Sequence, residues 1–432
     1  MNTKSVFNKK ERLNLILYLF SRGFLSFGDA IYSFAISFFI LYETGSALAS
    51  SINLVVYTTI SLVCLPFAGY FADKFNKKSI IILGELIDPL IILGLLIYTM
   101  NFGFNLTAIY IVTGITTLTS AFVGNAFQSA MTEIFNTLHI QKVMGYQQSI
   151  VSLSNIIAPA TAGALIGIFS LETILGIFVV LGFLAVAVDF IIDFRLHYDP
   201  HLYRQNGEDI KFMDDITEGA RFIFSSNVYR PLAIFGVFIN FFAAILSIYP
   251  SKALIVELGL PSQTVGIVYA VSSVGTIIAS VFIAKIKRWE NPVSVTKKCT
   301  IILAVVLGLF AVPLYLPVAL SVKVVLMAFL FVANSITLAF LNTPIMVFYQ
   351  MSVPQNIKGR VFSMFAVVSM SVMPLGAILY GYLLDLEIYL PVTIVTAVAI
   401  MGIALITLNS GLIIRSKNIM DELLQVKEPA DI

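Results

Sequence analysis

The chain has 432 residues, of which 59% are hydrophobic and only 12% are charged, and its mean hydropathy is +0.95. Because soluble domains carry about 25% charged residues, this composition excludes an ordinary water-soluble protein. The small net charge of +2 gives no reason to expect a nucleic-acid partner. Both cysteines, Cys64 and Cys299, lie inside apolar runs, which argues against a disulfide framework. The basic start leads into an apolar run too long for a cleavable signal peptide, so none is expected.

Twelve apolar stretches follow one another along the chain, and each is long enough to cross a bilayer, which takes roughly 20 helical residues. Helices are expected because no alternating barrel pattern occurs and a lipid-exposed backbone must satisfy its own hydrogen bonds. The predicted spans are 13–42, 46–72, 78–99, 105–130, 145–169, 173–194, 228–252, 262–285, 296–316, 322–349, 358–384 and 389–414.

The one long polar stretch divides these spans six and six. The sequence therefore predicts an all-α membrane protein with twelve transmembrane helices in two six-helix bundles. The predicted parts are a cytoplasmic tail (1–12), a first bundle (13–195), a cytoplasmic linker (196–227), a second bundle (228–415) and a second cytoplasmic tail (416–432).

The positions of the basic residues predict the orientation in the membrane. If both termini are cytoplasmic, 23 of the 26 Lys and Arg residues fall in cytoplasmic loops or tails or at the cytoplasmic ends of the spans. The exceptions are Lys252 and Lys323 on the outer side and Arg22 within the first span. By the positive-inside rule, this bias favours cytoplasmic termini in a multi-pass protein of the bacterial cytoplasmic membrane.

Several short motifs occur in a fixed order along these spans. Residues 69–78, between the second and third spans, read GYFADKFNKK and place a turn, an acid and cations where one helix ends and the next begins. The other motifs are GDAIY (28–32), YETGSA (42–47), GYQQS (145–149), APATAG (158–163), the acidic segment 214–222 before the seventh span, GRVFS (359–363) and MPLG (373–376).

Together these motifs resemble the major facilitator superfamily, and most closely its drug-efflux branch, which includes macrolide efflux proteins and the enterobactin exporter. The first motif is similar to the superfamily loop G-x-x-x-D-[RK]-x-G-[RK]-[RK], with Asn76 at the glycine position. Because Asn tolerates the left-handed conformation better than other residues, the loop is expected to survive this change. The chain departs from the branch in its fourth span, which has neither the usual prolines nor the usual Arg.

The resemblance implies a cytoplasmic gate. Asp73 would cap the amino terminus of the eleventh span and interact with its positive dipole end. The gate residues are then Gly69, Asp73, Lys77, Lys78, Gly359 and Arg360. The alternative is a surface loop whose charges only obey the positive-inside rule.

Asp29 lies near the middle of the first span, where an isolated charge is expensive and a carboxyl is a functional candidate by default. Arg22, two helical turns earlier, is its candidate charge partner, through an intermediary, or pairs with an acid on another helix. Two hypotheses remain open. Asp29 takes part in transport or proton coupling, or it belongs to a fixed ion pair that ties helices together.

Glu85 and Asp88 are three residues apart on one face of the third span. Two acids this close are not both charged in a low dielectric, so the pair is a candidate proton-coupling site. Glu85 has a structural alternative, in which it contacts the loop of Lys77 and Lys78. Asp189, near the end of the sixth span, is assigned to the cytoplasmic interface, as is Asp193.

The second half offers no comparable acid at mid-membrane depth, so it is expected to shape the cavity. The candidate cavity residues are the neutral polar side chains Asn125, Gln128, Asn155, Asn240, Asn334 and Asn342. Pro159 and Gly163 resemble the helix-five motif of superfamily antiporters. They seal the outer side against leakage, or they are packing residues.

The resemblance implies a secondary active transporter, and specifically a proton-coupled exporter of amphipathic organic compounds that are drug- or macrolide-like. The alternative is an exporter or flippase of an endogenous siderophore, lipid or peptide. An enzyme is disfavoured because all three histidines lie in predicted loops and both cysteines are isolated. ATP is not expected as the energy source because no nucleotide-binding loop occurs. A sensor is disfavoured because no signalling domain is present. We expect a monomer that binds its small-molecule substrate and protons within the lipid bilayer, with no cofactor and no metal.

Overall fold

The computed structural model describes residues 8–197, 212–286, 289–354 and 357–425, which form helices and no strand. At some helical positions only the backbone is described, and these include Gly69, Asp73, Asn155, Pro159 and Gly359. The helices of the first half are α1 (Lys9–Thr44), α2 (Ala47–Lys74), α3 (Lys77–Phe102), α4 (Leu106–Ile134), α5 (Thr137–Ile168) and α6 (Leu171–Ile191). The next are α7 (Phe212–Ser225), α8 (Tyr229–Ala243), α9 (Ile245–Ser251) with a π-helical continuation (Lys252–Glu257), α10 (Ser262–Ala284), α11 (Pro292–Leu309) and α12 (Val312–Tyr315). The last are α13 (Leu320–Ser352), α14 (Lys358–Met370), α15 (Met373–Asp385), α16 (Tyr389–Thr407) and α17 (Ser410–Gln425).

Eleven helical stretches in the described part of the chain are long and apolar enough to cross a membrane. The fifth predicted span corresponds to α5, which has 32 residues. Large apolar side chains also point outward along these helices. In α16, for example, Val395, Val398 and Ile406 are 68%, 66% and 75% exposed. Such a surface is stable against lipid rather than water.

Polar side chains start several of these helices at the predicted breaks. Asn105 accepts a hydrogen bond from the backbone N–H of Ala108 at 3.0 Å, and Asn291 accepts one from Ser294 at 3.1 Å. Asn76 caps α3 in the same way. Its φ of −64° is not left-handed, so the expected conformation at this position was wrong. Asn is tolerated there because its side chain supplies an N-cap.

Several predicted spans of the second half are split into shorter helices, and in two of them a proline follows the break directly: Pro313 in the first turn of α12 and Pro374 in the first turn of α15. Pro250 lies within α9, after the α8–α9 break and just before the π-helical continuation. Proline lacks a backbone N–H and clashes with the preceding turn, so it interrupts the helical hydrogen bonds. Hydropathy alone could not locate these breaks.

The first compact unit consists of Met1–Gly45, Ile52–Asp209 and Pro261–Ile267. Within it, α1 packs against α5 and α6, and α3 packs against α4 and α6. An aromatic core that contains Tyr18 and Phe127 fills the space between these helices. The charged side chains described below therefore lie on a set of five packed helices, α1, α3, α4, α5 and α6.

The second compact unit consists of Ser46–Ser51, Ile210–Leu260 and Val268–Ile432. Its central helix α8 packs against α14, α15 and α16, and α11 packs against α13 and α16. The amphipathic segment noted before the seventh span is helix α7, which packs on α14. Residues 416–425, assigned from the sequence to a cytoplasmic tail, belong to α17. Residues 198–211 of the predicted linker and the outermost parts of both tails (1–7 and 426–432) lie outside the described residues.

Candidate functional site

Helix α1 carries two different exposed faces. One is apolar and includes Phe20, which is 60% exposed. Asp29 and Ser33 are also exposed, one turn apart. Asp29 is nine residues after Phe20, about two and a half turns, so the two residues lie on opposite sides of the helix. Asp29 therefore lies on an open polar face that is turned away from the apolar one.

Arg22 lies on the same polar side of α1 and joins two other helices. Its Nη2 atom donates to Oε1 of Glu85 on α3 in a short contact, and lies 3.4 Å from Oδ2 of Asp189 on α6. Its guanidinium carbon also lies 3.8 Å from the centre of the Phe127 ring. We call Arg22, Glu85 and Asp189 the Arg22 cluster. The charge partner of Arg22 is thus an acid on another helix, which was one of the two possibilities left open by the sequence.

The Arg22 cluster is buried. Side-chain exposure is 12% for Arg22, 3% for Glu85 and 0% for Asp189. Ser21 donates its hydroxyl to Oδ2 of Asp189 at 2.8 Å. The second carboxylate oxygen of each acid, Glu85 Oε2 and Asp189 Oδ1, is buried and has no hydrogen-bond partner among the described residues. The assignment of Asp189 to the interface missed this contact, whereas Asp193 is exposed.

Asp88 and Glu85 make separate contacts although they lie three residues apart on α3. Oδ1 of Asp88 accepts a short hydrogen bond from the hydroxyl of Thr119 on α4. Tyr32 of α1 packs edge-on against Phe178, and its hydroxyl is buried without a partner in the described part of the chain. The four acids described so far therefore occupy three settings: Asp29 is exposed, Asp88 is bound by a hydroxyl, and Glu85 and Asp189 contact Arg22.

Lys77 and Lys78 of the expected gate tie the start of α3 to its neighbours in the first unit. Lys77 makes a buried ion pair with Glu133 at the end of α4. Lys78 donates to the backbone carbonyls of Phe190 at 3.1 Å and Ile192 at 3.3 Å. Such bonds satisfy the free carbonyls at the end of α6. The structural alternative for Glu85, a contact with this loop, is not what the structure shows, because Arg22 holds that carboxylate.

The remaining gate residues are only partly described. Arg360, in the first turn of α14, makes an exposed ion pair with Glu218 of α7. The side chain of Asp73 and the surroundings of Gly69 and Gly359 lie outside the described residues. The expected cap by Asp73 therefore stays a prediction.

Gly163 of the helix-five motif lies in close contact with the start of α10. A Cβ atom at Gly163 would lie 2.6 Å from Cα of Gly266 and 2.7 Å from the carbonyl oxygen of Ser262. The two backbones approach this closely because residue 163 has no Cβ atom. The side chain of Pro159 lies outside the described residues.

The candidate cavity residues differ in what they contact. Gln128 and Asn342 are exposed on α4 and α13. Asn125 and Asn240 each donate to a backbone carbonyl one turn earlier, at 2.9 and 2.8 Å. Oδ1 of Asn334 on α13 is buried without a partner among the described residues. The side chain of Asn155 is not among the described ones.

Asp385, at the end of α15, accepts hydrogen bonds at the start of α2, a role that the sequence did not predict. Its carboxylate accepts from the Ser46 hydroxyl at 2.6 Å and from the backbone N–H groups of Ala47 and Leu48 at 2.6 and 3.0 Å. Lys252 donates to it at 3.2 Å. In the sequence, Asp385 only marked a helix end. The free N–H groups at the start of α2 were the available signal that this helix needs an acceptor.

Membrane-length helices with outward apolar surfaces and ionisable groups inside one unit define a polytopic membrane transporter. The sequence profile of the Major Facilitator Superfamily matches residues 18–377, so the chain belongs to this superfamily. The resemblance and the fold class predicted from the sequence are thereby confirmed.

Similar proteins include efflux proteins of bacteria. The uncharacterised MFS-type transporter YfiS of Bacillus subtilis (strain 168) is 24% identical over 360 residues, which cover 82% of each chain. Macrolide efflux protein A of Streptococcus pyogenes is 28% identical over 149 residues, or 34% of this chain and 37% of that protein. Multidrug resistance protein 2 of B. subtilis (strain 168) is 27% identical over 166 residues, or 38% and 39%.

Solved transporters share the fold at low sequence identity. A bacterial homologue of the iron transporter ferroportin, crystallised in an inward-facing state, matches with a TM-score of 0.68 at 15% identity, over 93% of this chain and 99% of that one. The nucleoside transporter NupG matches with a TM-score of 0.67 at 13% identity, over 93% and 98%. At such identities these matches establish the fold and not the substrate.

Proposed function

We propose that the protein is a proton-coupled exporter of amphipathic organic compounds, drug- or macrolide-like, that works by alternating access. The observation that carries the proposal is the pair of carboxyls at membrane depth, Asp29 on the open polar face of α1 and Asp88 bound by Thr119. Neither has a basic partner among the described hydrogen bonds and ion pairs. A carboxyl in this setting is able to gain and lose a proton without breaking a salt bridge.

The second unit supports placing the coupling in the first. Among its described residues, the acids lie at helix ends or on the exposed helices α7 and α17, such as Glu257, Asp385 and Glu387. Its described polar groups at membrane depth are neutral, and they include Asn334, whose Oδ1 atom has no partner among the described residues. We therefore assign proton movement to the first unit and substrate selection in part to the second. The efflux relatives support the direction of transport.

The basic residues support an orientation with both termini in the cytoplasm of a bacterial cell. The two cations on the outer side in this orientation are bound within the protein. Lys252 pairs with Asp385, and Lys323 donates to the carbonyl of Leu314 at 2.9 Å. We propose that the protein functions as a monomer in the cytoplasmic membrane.

The first experiment identifies the substrate by measuring the accumulation of a panel of amphipathic compounds in cells that lack their own efflux pumps. Expression of the protein should lower accumulation of the true substrate, and a protonophore should restore it. An endogenous siderophore, lipid or peptide identified by the same screen would replace the drug-like substrate. Net uptake would overturn export.

The coupling carboxyls are then tested with Asp29→Asn and Asp88→Asn. Each variant should insert normally but lose uphill transport driven by a pH gradient in proteoliposomes, because an amide cannot carry the proton. Glu43→Gln, an exposed acid at the outer end of the same α1, is the matched control and should transport normally. Full gradient-driven transport by both Asn variants would reject this assignment.

A further inference from the structure

The Arg22 cluster has an unbalanced charge that the coupling carboxyls do not explain. It contains one guanidinium and two carboxylates, so it carries a net negative charge when both acids are ionised. Helix α6 packs against both α1 and α3, the other two helices that supply it, and all three side chains are at least 88% buried by their exposures. An uncompensated charge in such a place costs several kcal/mol.

The hydrogen bonds show where the imbalance lies. Ser21 and Arg22 both donate hydrogen bonds to Oδ2 of Asp189, and Arg22 also donates one to Oε1 of Glu85. The opposite oxygens, Asp189 Oδ1 and Glu85 Oε2, are buried without a donor among the described residues. A buried acceptor without a donor is costly by itself. One proton would remove both problems, because it neutralises one acid and adds an O–H group.

The neighbouring charged groups do not correct this imbalance. Other charged or titratable groups on or next to the packed helices are Tyr18 and Asp29 of α1, Lys77, Lys78 and Asp88 of α3, Glu133 of α4, His139 of α5 and Asp193, which follows α6. Lys78 donates to the backbone carbonyls of Phe190 and Ile192. Most of these have partners of their own: Tyr18 donates to Gln147, Lys77 pairs with Glu133, Asp88 is bound by Thr119, and His139 contacts Glu11. Asp29 and Asp193 are exposed acids and add no positive charge.

We infer that Glu85 and Asp189 share one proton-binding site, with Arg22 as its fixed counter-ion. Proton uptake forms one O–H bond on a carboxylate oxygen and changes the charge of the Arg22 cluster from −1 to 0. Release reverses the step, and no other bond is made or broken. Glu85 thus acts as a proton carrier together with Asp189, which the sequence had assigned to the interface.

The site is positioned to act on transport. Arg22 and Asp29 lie two turns apart on one side of α1, and Glu85 and Asp88 lie one turn apart on α3. A change of charge at the Arg22 cluster therefore alters the force on both helices that carry the coupling carboxyls. This second part of the inference rests on the proposed function, whereas the binding of the proton does not.

Proton binding is tested without substrate, by infrared spectroscopy of the purified full-length protein. The measurement uses an Asp29→Asn/Asp88→Asn background, which removes the two coupling carboxyls as sources of signal. In it we expect a C=O band of a protonated carboxyl near neutral pH that disappears as the pH is raised. Both Asp189→Asn and Glu85→Gln should lose this band, since either change leaves one carboxylate balanced by Arg22. Asp193→Asn, an exposed acid just after the end of α6, is the matched control and should keep it.

Because the variants keep a balanced ion pair, they should fold, which size-exclusion chromatography checks. If one does not fold, the other still tests the claim. Persistence of the band in a folded Asp189→Asn or Glu85→Gln protein would overturn the shared site. If the band is lost but Asp189→Asn keeps the pH profile of gradient-driven transport, the site binds a proton without coupling it. That result rejects the coupling role of Asp189 and leaves the proposed function intact.

Discussion

The buried ion pair between Lys77 and Glu133 has a structural role, although Lys77 belongs to the expected gate. Both side chains are about nine-tenths buried, with exposures of 9% and 10%, and they join the start of α3 to the end of α4. Removing one partner of a buried pair leaves the other charged group buried and uncompensated, which costs roughly 3–5 kcal/mol. The effect of replacing both partners is much smaller.

We therefore expect Lys77→Met to lower the Tm of the detergent-solubilised protein substantially. The double variant Lys77→Met/Glu133→Gln should recover most of the loss, because it removes both charges. Lys298→Met, at an exposed position on α11, is the control for loss of a lysine. A single variant as stable as the natural protein would show that Lys77 serves the gate alone.

At the same scale, the partners of each acid could not be predicted from the sequence. The spacing of Glu85 and Asp88 correctly places them one turn apart on α3, yet Glu85 contacts Arg22 of α1 and Asp88 contacts Thr119 of α4. Asp189 lies in the last turn of α6, where composition suggests an interface, but its side chain points at Ser21 of α1. Such contacts depend on how each helix is rotated against its neighbours, and hydropathy does not report that rotation.

Among whole elements, α2 is notable because it belongs to both compact units. Its first residues, up to Ser51, cluster with the second unit, and the rest of the helix belongs to the first. Asp385 of α15 caps this start by accepting from Ser46, Ala47 and Leu48. A carboxylate at a helix amino terminus is favoured by the helix dipole and by the free N–H groups. No pattern within either segment predicts this contact, because its partners are more than 330 residues apart.

Asp385→Asn should loosen the start of α2, because it removes the charge that binds both the helix dipole and Lys252. Loss of such a cap typically costs about 1 kcal/mol. Ser51 is fully buried and packs against Gly381, so it is a sensitive reporter. In a background without Cys64 and Cys299, a Ser51→Cys thiol should react slowly with a membrane-impermeant reagent. Its reaction should become faster when Asp385→Asn is added.

Glu387 lies two residues beyond Asp385 and is exposed, so Glu387→Gln is the matched control for removal of an acid at this helix end. It should leave the reactivity of the Ser51→Cys thiol unchanged. Equal reactivity with Asp385 and with Asn at position 385 would show that the cap does not hold α2 in place.

For the whole molecule, the sequence predicts far more than it does for individual contacts. Every predicted span corresponds to a helix or a pair of helices, because a bilayer requires about 20 apolar residues per crossing. The positions of the proline breaks and the helix α17 were not predicted, because apolar runs do not reveal where backbone hydrogen bonds are interrupted. The orientation in the membrane is inferred from the distribution of Lys and Arg, because contacts between helices do not report which side faces the cytoplasm.

The orientation can be tested with two exposed apolar residues at opposite ends of the first unit. Phe75 lies in the loop between α2 and α3 and is 55% exposed, and Ile168 ends α5 and is 73% exposed. With cytoplasmic termini, Phe75 faces the cytoplasm and Ile168 the outside. In the background without Cys64 and Cys299, intact cells should therefore label Ile168→Cys with an impermeant thiol reagent but not Phe75→Cys. In permeabilised cells the reagent should label both. The reverse pattern in intact cells would invert the topology. It would also exchange the two sides between which Asp29 and Asp88 are proposed to carry protons.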